Sequence, residues 1–159
     1  MRPIAALLLL VTSSCALLHG NISDRSDVQV NANPDAVIAA ASTQLQHHGF
    51  KVNDLGDGVL VTVPRPILAH QRGDSTMMKG NQWFLRVQVE RASFTAGSRI
   101  QVTGFIVPKA VSTTPVQQRA VTITSTEAKL FSEVRAASKW IVDAAERKTP
   151  KQSKGARPS

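Results

Sequence analysis

The chain has no tyrosine, one cysteine and few aromatic residues of any kind, 4% of its length. Each scarcity excludes something. A single cysteine, Cys15, cannot close an internal disulfide, so the mature fold rests on its apolar core. With five Phe and two Trp in 159 residues, a stacking platform for single-stranded nucleic acid is poorly supported, and no nucleic-acid partner is expected despite a net charge of +8. That charge gathers at the ends. Of the 19 Lys and Arg residues, Arg2 lies at the N-terminus and Lys148, Lys151, Lys154 and Arg157 at the C-terminus, leaving 14 against 11 acids in the remainder.

The usual catalytic patterns are missing as well. No serine sits in a Gly-x-Ser-x-Gly turn, and Gly56 and Gly58 belong to a hairpin turn with no phosphate-binding helix after it. His47, His48 and His70 with Asp74 make the one tempting constellation. Adjacent His residues on a helix point about 100° apart, so they cannot chelate one ion as an i, i+4 pair does. The plain reading is that His47 and His48 favour the negative end of a helix dipole. The expectation is therefore a protein that is not an enzyme, with neither metal nor cofactor.

What is present is a clear β pattern from Trp83 to Val107. Trp83, Leu85, Val87 and Val89 alternate with Arg86, Gln88 and Glu90, and after Ala96-Gly97-Ser98 the same period returns in Ile100, Val102, Gly104 and Ile106. Period two predicts two half-buried antiparallel strands, and a sheet with one apolar face needs a helical cover. Two stretches can supply it. Asn33-Pro34-Asp35 combines an N-cap, a proline at the first helical position and an acid in the first turn; Val37, Ala41 and Leu45 follow at helical spacing, and Gly49 ends the helix. Near the C-terminus Leu130, Val134, Ala137, Ile141 and Ala145 form a second stripe behind a cap at Ser125 or Thr126.

Further strands are expected at Asp27–Ala32, Phe50–Asn53, Val59–Val63 and Arg119–Thr124, the middle two forming a hairpin around Gly56-Asp57-Gly58. The expected fold is α+β, a mostly antiparallel sheet of about five or six strands with two helices on one face, in the order β-α-β-β-β-β-β-α. One domain over residues 27–147 accommodates it, and 42% apolar residues suffice for its core. Residues 148–159 are basic and lack an apolar face, which predicts a disordered tail.

The first residues read as an export signal: Arg2, then the apolar run Ile4–Val11, then Thr12-Ser13-Ser14 directly before Cys15. The run is too short to span a membrane. Val11-Thr12-Ser13-Ser14-Cys15 resembles the leader of small bacterial envelope lipoproteins, with Thr12 where leucine is usual. The resemblance covers about fifteen residues and implies a signal peptide at 1–14, cleavage before Cys15, acylation of Cys15, a tether at 15–26 and anchoring to the inner or outer membrane on the periplasmic side. Ordinary cleavage after Ala16 is the alternative. The element order is also similar to helix-grip and related α+β domains of such lipoproteins, including accessory subunits of outer-membrane assembly machines.

Two irregular stretches, Pro64–Gln82 and Pro108–Gln118, interrupt the pattern. If consecutive strands are antiparallel, both leave the same end of the sheet. The last helix, read as running toward that end, would release the basic tail there too. The working rim is therefore expected to combine Arg65, Arg72, Met77, Met78, Lys79, Lys109, Lys148, Lys151 and Lys154. The apolar Ile67, Leu68, Met77 and Met78 either fold back over the open end of the core or offer an adaptable surface to a partner. The cations would be drawn to anionic lipid, lipopolysaccharide or cell-wall polymer. Two functions follow: a non-enzymatic envelope lipoprotein acting as an accessory or assembly subunit beside another envelope protein, or a soluble periplasmic or secreted domain binding an apolar or anionic ligand.

Overall fold

A computed structural model describes residues 25–93, 97–108 and 120–148, with Arg25, Ser26, Met77 and Lys148 described by their backbones alone. Cys15, the leader, residues 16–24 of the expected tether, Lys109 and the tail after Lys148 lie outside these residues, whereas Arg25 and Ser26, expected to end the tether, already belong to the first strand.

The helix start at Asn33 forms as its chemistry dictates. Asn33 Oδ1 accepts the Asp35 N–H at 2.9 Å, Pro34 opens α1 (Pro34–His47), and Val37, Ala40, Ala41 and Leu45 are its buried stripe. Gly49, at φ 81°, turns the chain so that the Phe50 N–H reaches the Leu45 carbonyl. The hairpin of β2 (Val52–Asp54) and β3 (Val59–Thr62) closes on Gly56, Asp57 and Gly58, all at positive φ. The long strands β5 (Gln82–Arg91) and β6 (Ser98–Val107) pair antiparallel along their full lengths, Gln82 opposite Val107 and Arg91 opposite Ser98. The residues expected to face inward on both strands are buried, Trp83, Leu85, Val87, Ile100 and Val102 completely.

The sheet has seven antiparallel strands in five positions. β3 and the two-residue β4 (Arg65–Pro66) share one side of β5, and β1 (Arg25–Val30) and β7 (Val121–Thr122) share the far side of β6. Thr62 explains the break between β3 and β4: its hydroxyl accepts the Leu85 N–H at 2.9 Å where the backbone ladder is interrupted. α1 and α3 (Ala128–Lys148) lie side by side over one face, α1 against β5 and α3 against β6 and β1. On the opposite face Phe84 and Phe105 stack across the two central strands, centroids 5.1 Å apart.

Three expectations are corrected here. The stretch 64–82 is not wholly irregular, since it holds β4, the short helix α2 (Ala69–Arg72) and a 3-10 turn at Thr76–Met78. The last strand shrinks to Val121–Thr122. The turn before α3, where a cap at Ser125 or Thr126 is expected, is held around Thr124: the Glu127 carboxylate accepts from its backbone N–H and hydroxyl, and the Thr126 hydroxyl is hydrogen-bonded to the Thr124 hydroxyl.

Candidate functional site

The loop end of the sheet is defined by the pairs Pro66–Gln82 and Gln82–Val107. The segment from Ile67 to Asn81 departs from it, and Pro108 leaves beside it, as the antiparallel order requires. Ile67 is buried and Met78 packs against the core, so part of this segment does plug the open end; Leu68, 52% exposed, turns outward. Leu68 N–H donates to Gln71 Oε1 at 2.9 Å, and Gln71 reaches Glu133 of α3, which pins α2 against that helix.

Between these elements lies an open cleft of about 530 Å³. Met78, Ile106, Pro108 and Val121 give it apolar surface, Gln71, Arg72, Gly73, Ser75 and Asn81 border it on one side, and Thr126, Glu127, Ala128 and Lys129 on the other. Val121 pairs with Ile106 and points the same way, toward the helices, yet remains 49% exposed because nothing described fills the cleft above it. Gly73 shapes the wall. Its φ of 58° favours glycine, and a Cβ there would only make ordinary contact with Lys129 Nζ at 3.4 Å.

Of the expected rim residues, Arg72 and Met78 line the cleft and Lys79 is exposed next to it. Arg65 is placed behind. Its guanidinium stacks 3.7 Å from the Phe50 ring centroid and 4.8 Å from that of Trp83, closing the end of the core. Burial lowers its pKa from the ordinary arginine value, and the nearby Glu133 carboxylate offsets part of that shift. The side chains of Met77 and Lys148, and all of Cys15, Lys109, Lys151 and Lys154, lie outside the described residues.

Helix direction separates Lys148 from this group. α3 begins at the cleft with Ala128 and Lys129, rather than at the opposite end as chain direction had suggested. Lys148 closes the helix about 30 Å further along its axis. Lys129 is the residue that sequence reasoning missed, although it carries a signal: a cation in the first turn of a helix opposes the dipole and calls for another reason to be there.

His48 stacks on Trp140 and His47 meets it edge-on, and no group of three metal-ligating side chains occurs among the described residues. No helix among the described residues is long and apolar enough to cross a membrane. The sequence matches no protein-family model, and no curated protein is similar enough to it to count as a relative. What the cleft can do chemically is hold an apolar group on Met78, Ile106 and Val121, with two cations, Arg72 and Lys129, and one carboxylate, Glu127, in its lining.

Proposed function

We propose that the chain is a non-enzymatic cell-envelope lipoprotein, anchored through Cys15, that works as an accessory or assembly subunit with the loop end of its sheet as the contact surface. The observation that supports this reading is the cleft, where α2, the 3-10 turn, the end of β6 and the first turn of α3 bring apolar surface and cations together on one rim of a rigid sheet. A lipid tether and a basic rim act together as two weak attachment signals, each insufficient alone.

The cleft also favours a second reading, a soluble binding domain for an amphipathic anion, because its volume falls within the range of small-ligand sites. Mass spectrometry of the exported protein separates the two. A diacylated N-terminal Cys15 supports the first, and an unmodified N-terminus at Leu17 supports the second. Crosslinking in native membranes followed by affinity capture then identifies the partner.

A further inference from the structure

The cleft lies within reach of a segment that precedes the sheet. β1 begins at Arg25, opposite Thr103 of β6. The next position on that flank of β6 belongs to β7: the Ile123 N–H donates to the Gly104 carbonyl at 2.8 Å, and Val121 pairs with Ile106. Arg25 therefore stands three residue steps along β6 from Val121, a distance of about 10 Å. Leu18 precedes Arg25 by seven positions, a stretch that reaches up to about 23 Å, so Leu17 and Leu18 are within range of the cleft.

The pair differs from its neighbours in the chain. Between the apolar run Ile4–Val11 and β1 the large apolar residues are Leu17, Leu18 and Ile22, and Leu17-Leu18 is the one adjacent pair. Cleavage before Cys15 and cleavage after Ala16 both leave it on the mature chain. The cleft offers a matching surface in Met78, Ile106, Pro108 and Val121, within a volume of about 530 Å³. A cavity of roughly 150 Å³ holds a benzene ring, so two leucine side chains fit there without crowding.

We infer that Leu17 and Leu18 dock in the cleft as an autoinhibitory contact, which a partner or ligand must displace to enter. The inference rests on the reading of the cleft as the contact surface. Burying two leucines would give a free segment an affinity on the order of millimolar or tighter. A short linker supplies an effective concentration of the same order. Docked and released forms are then both populated, as a displaceable contact requires. An entering ligand meets a vacant cleft in only a fraction of the molecules, and its apparent affinity falls by that fraction. Its binding in turn frees the tether, so occupation of the cleft and the reach of the anchor are coupled.

The test uses the mature polypeptide from residue 15 onward with Cys15→Ser, and the dye 1-anilinonaphthalene-8-sulfonate as an amphipathic anionic probe of the cleft. L17S/L18S should bind the dye roughly two- to tenfold more tightly than the parent, and V121D should weaken binding in both. In a glutathione buffer the pair H19C/A128C, which joins the segment to the cleft wall at the start of α3, should form its disulfide roughly tenfold more readily than H19C/L55C. Leu55 is 65% exposed in the β2–β3 turn at the opposite end of the sheet, so the second pair reports undirected encounter. Adding L17S/L18S should erase the excess. Equal dye affinity in parent and L17S/L18S, with V121D still weakening it, overturns this inference and leaves the cleft reading standing, as does a disulfide excess that persists without the leucines. The same result is expected were residues 109–119 to fill the cleft instead. Absence of dye binding in both parent and L17S/L18S overturns the inference and the cleft reading together.

Discussion

Val134 of α3 occupies the space that a side chain at Gly104 of β6 would fill: a Cβ on residue 104 would stand 2.6 Å from Val134 Cγ2 and 2.7 Å from Ile123 Cδ1. The glycine in the middle of a central strand is a packing device that lets the last helix settle directly on the sheet. Gly104→Ala should therefore cost about 1–3 kcal/mol through overpacking, despite the better strand propensity of alanine. Denaturant unfolding measures it. A neutral or stabilising result would mean that α3 does not sit over Gly104 in solution.

Trp83 presents the reverse situation, a large buried ring held between Phe50, edge-on at 5.8 Å, and the Arg65 guanidinium. Its indole N–H is buried without a hydrogen-bond partner among the described residues. Trp83→Ala should cost about 3–5 kcal/mol from the cavity it leaves. Trp83→Phe should cost under about 2 kcal/mol, because the lost ring area is offset by removing an unsatisfied donor. Comparable losses for the two variants would place a hidden partner on the indole nitrogen.

Arg65 is expected to resist its usual conservative replacement. Lysine keeps the charge but not the flat guanidinium that lies on Phe50, so Arg65→Lys should lose about 0.5–1 kcal/mol of stacking. Thermal midpoints of Arg65→Lys and Arg65→Met compare the two contributions directly. If methionine retains more stability than lysine, apolar cover at this end of the core outweighs charge.

Much of this core was legible in the sequence because its signals are local and repeated. Ten-residue strands with strict alternation, and a helix bounded by Asn33-Pro34 and Gly49, each carry several independent marks of the same element. What was not legible depends on contacts between distant residues. β4 is two residues containing a proline and exists because Trp83 and Gln82 offer a ladder to Arg65 and Pro66. β1 pairs with β6, about 70 residues away, a partner no periodicity could name. The direction of α3 departs from that expected of a full-length last strand because β7 does not run the height of the sheet. Only Val121 and Thr122 pair, so the chain turns into the helix while still near the loop end. That one difference brings Lys129 to the cleft and takes Lys148 away from it.

Across β1 and β6, Arg99 Nε donates to Asp27 Oδ1 at 2.8 Å, and this hydrogen bond, with the carboxylate charge next, raises the Arg99 pKa above the ordinary arginine value. A raised folded pKa gives stabilisation that is complete at every pH below the unfolded value and fades only as pH climbs through the folded one. That window lies far above neutrality. Arg99→Gln should thus shift the thermal midpoint by an offset that stays constant between pH 6 and 9, and an offset that changes within that interval would show that another group controls the pair.

The rim reading makes the strongest claim on charge, and it is tested with the acyl chain removed. In a Cys15→Ser background, the full chain should partition onto vesicles containing phosphatidylglycerol and much less onto pure phosphatidylcholine. A surface cation near an anionic membrane is worth roughly fivefold in partition, so Arg72→Ser, Lys79→Ser and Lys129→Ser together should weaken binding about a hundredfold at low salt. The difference should shrink as ionic strength rises and the Debye length contracts. Because Arg65 is stacked inside the rim rather than presented on it, Arg65→Met should change partition far less than the triple variant does. Equal partition of parent and triple variant would remove the cleft rim from membrane contact. Loss confined to Arg65→Met would mean that the intact core end, and not the exposed cations, is what the membrane recognises.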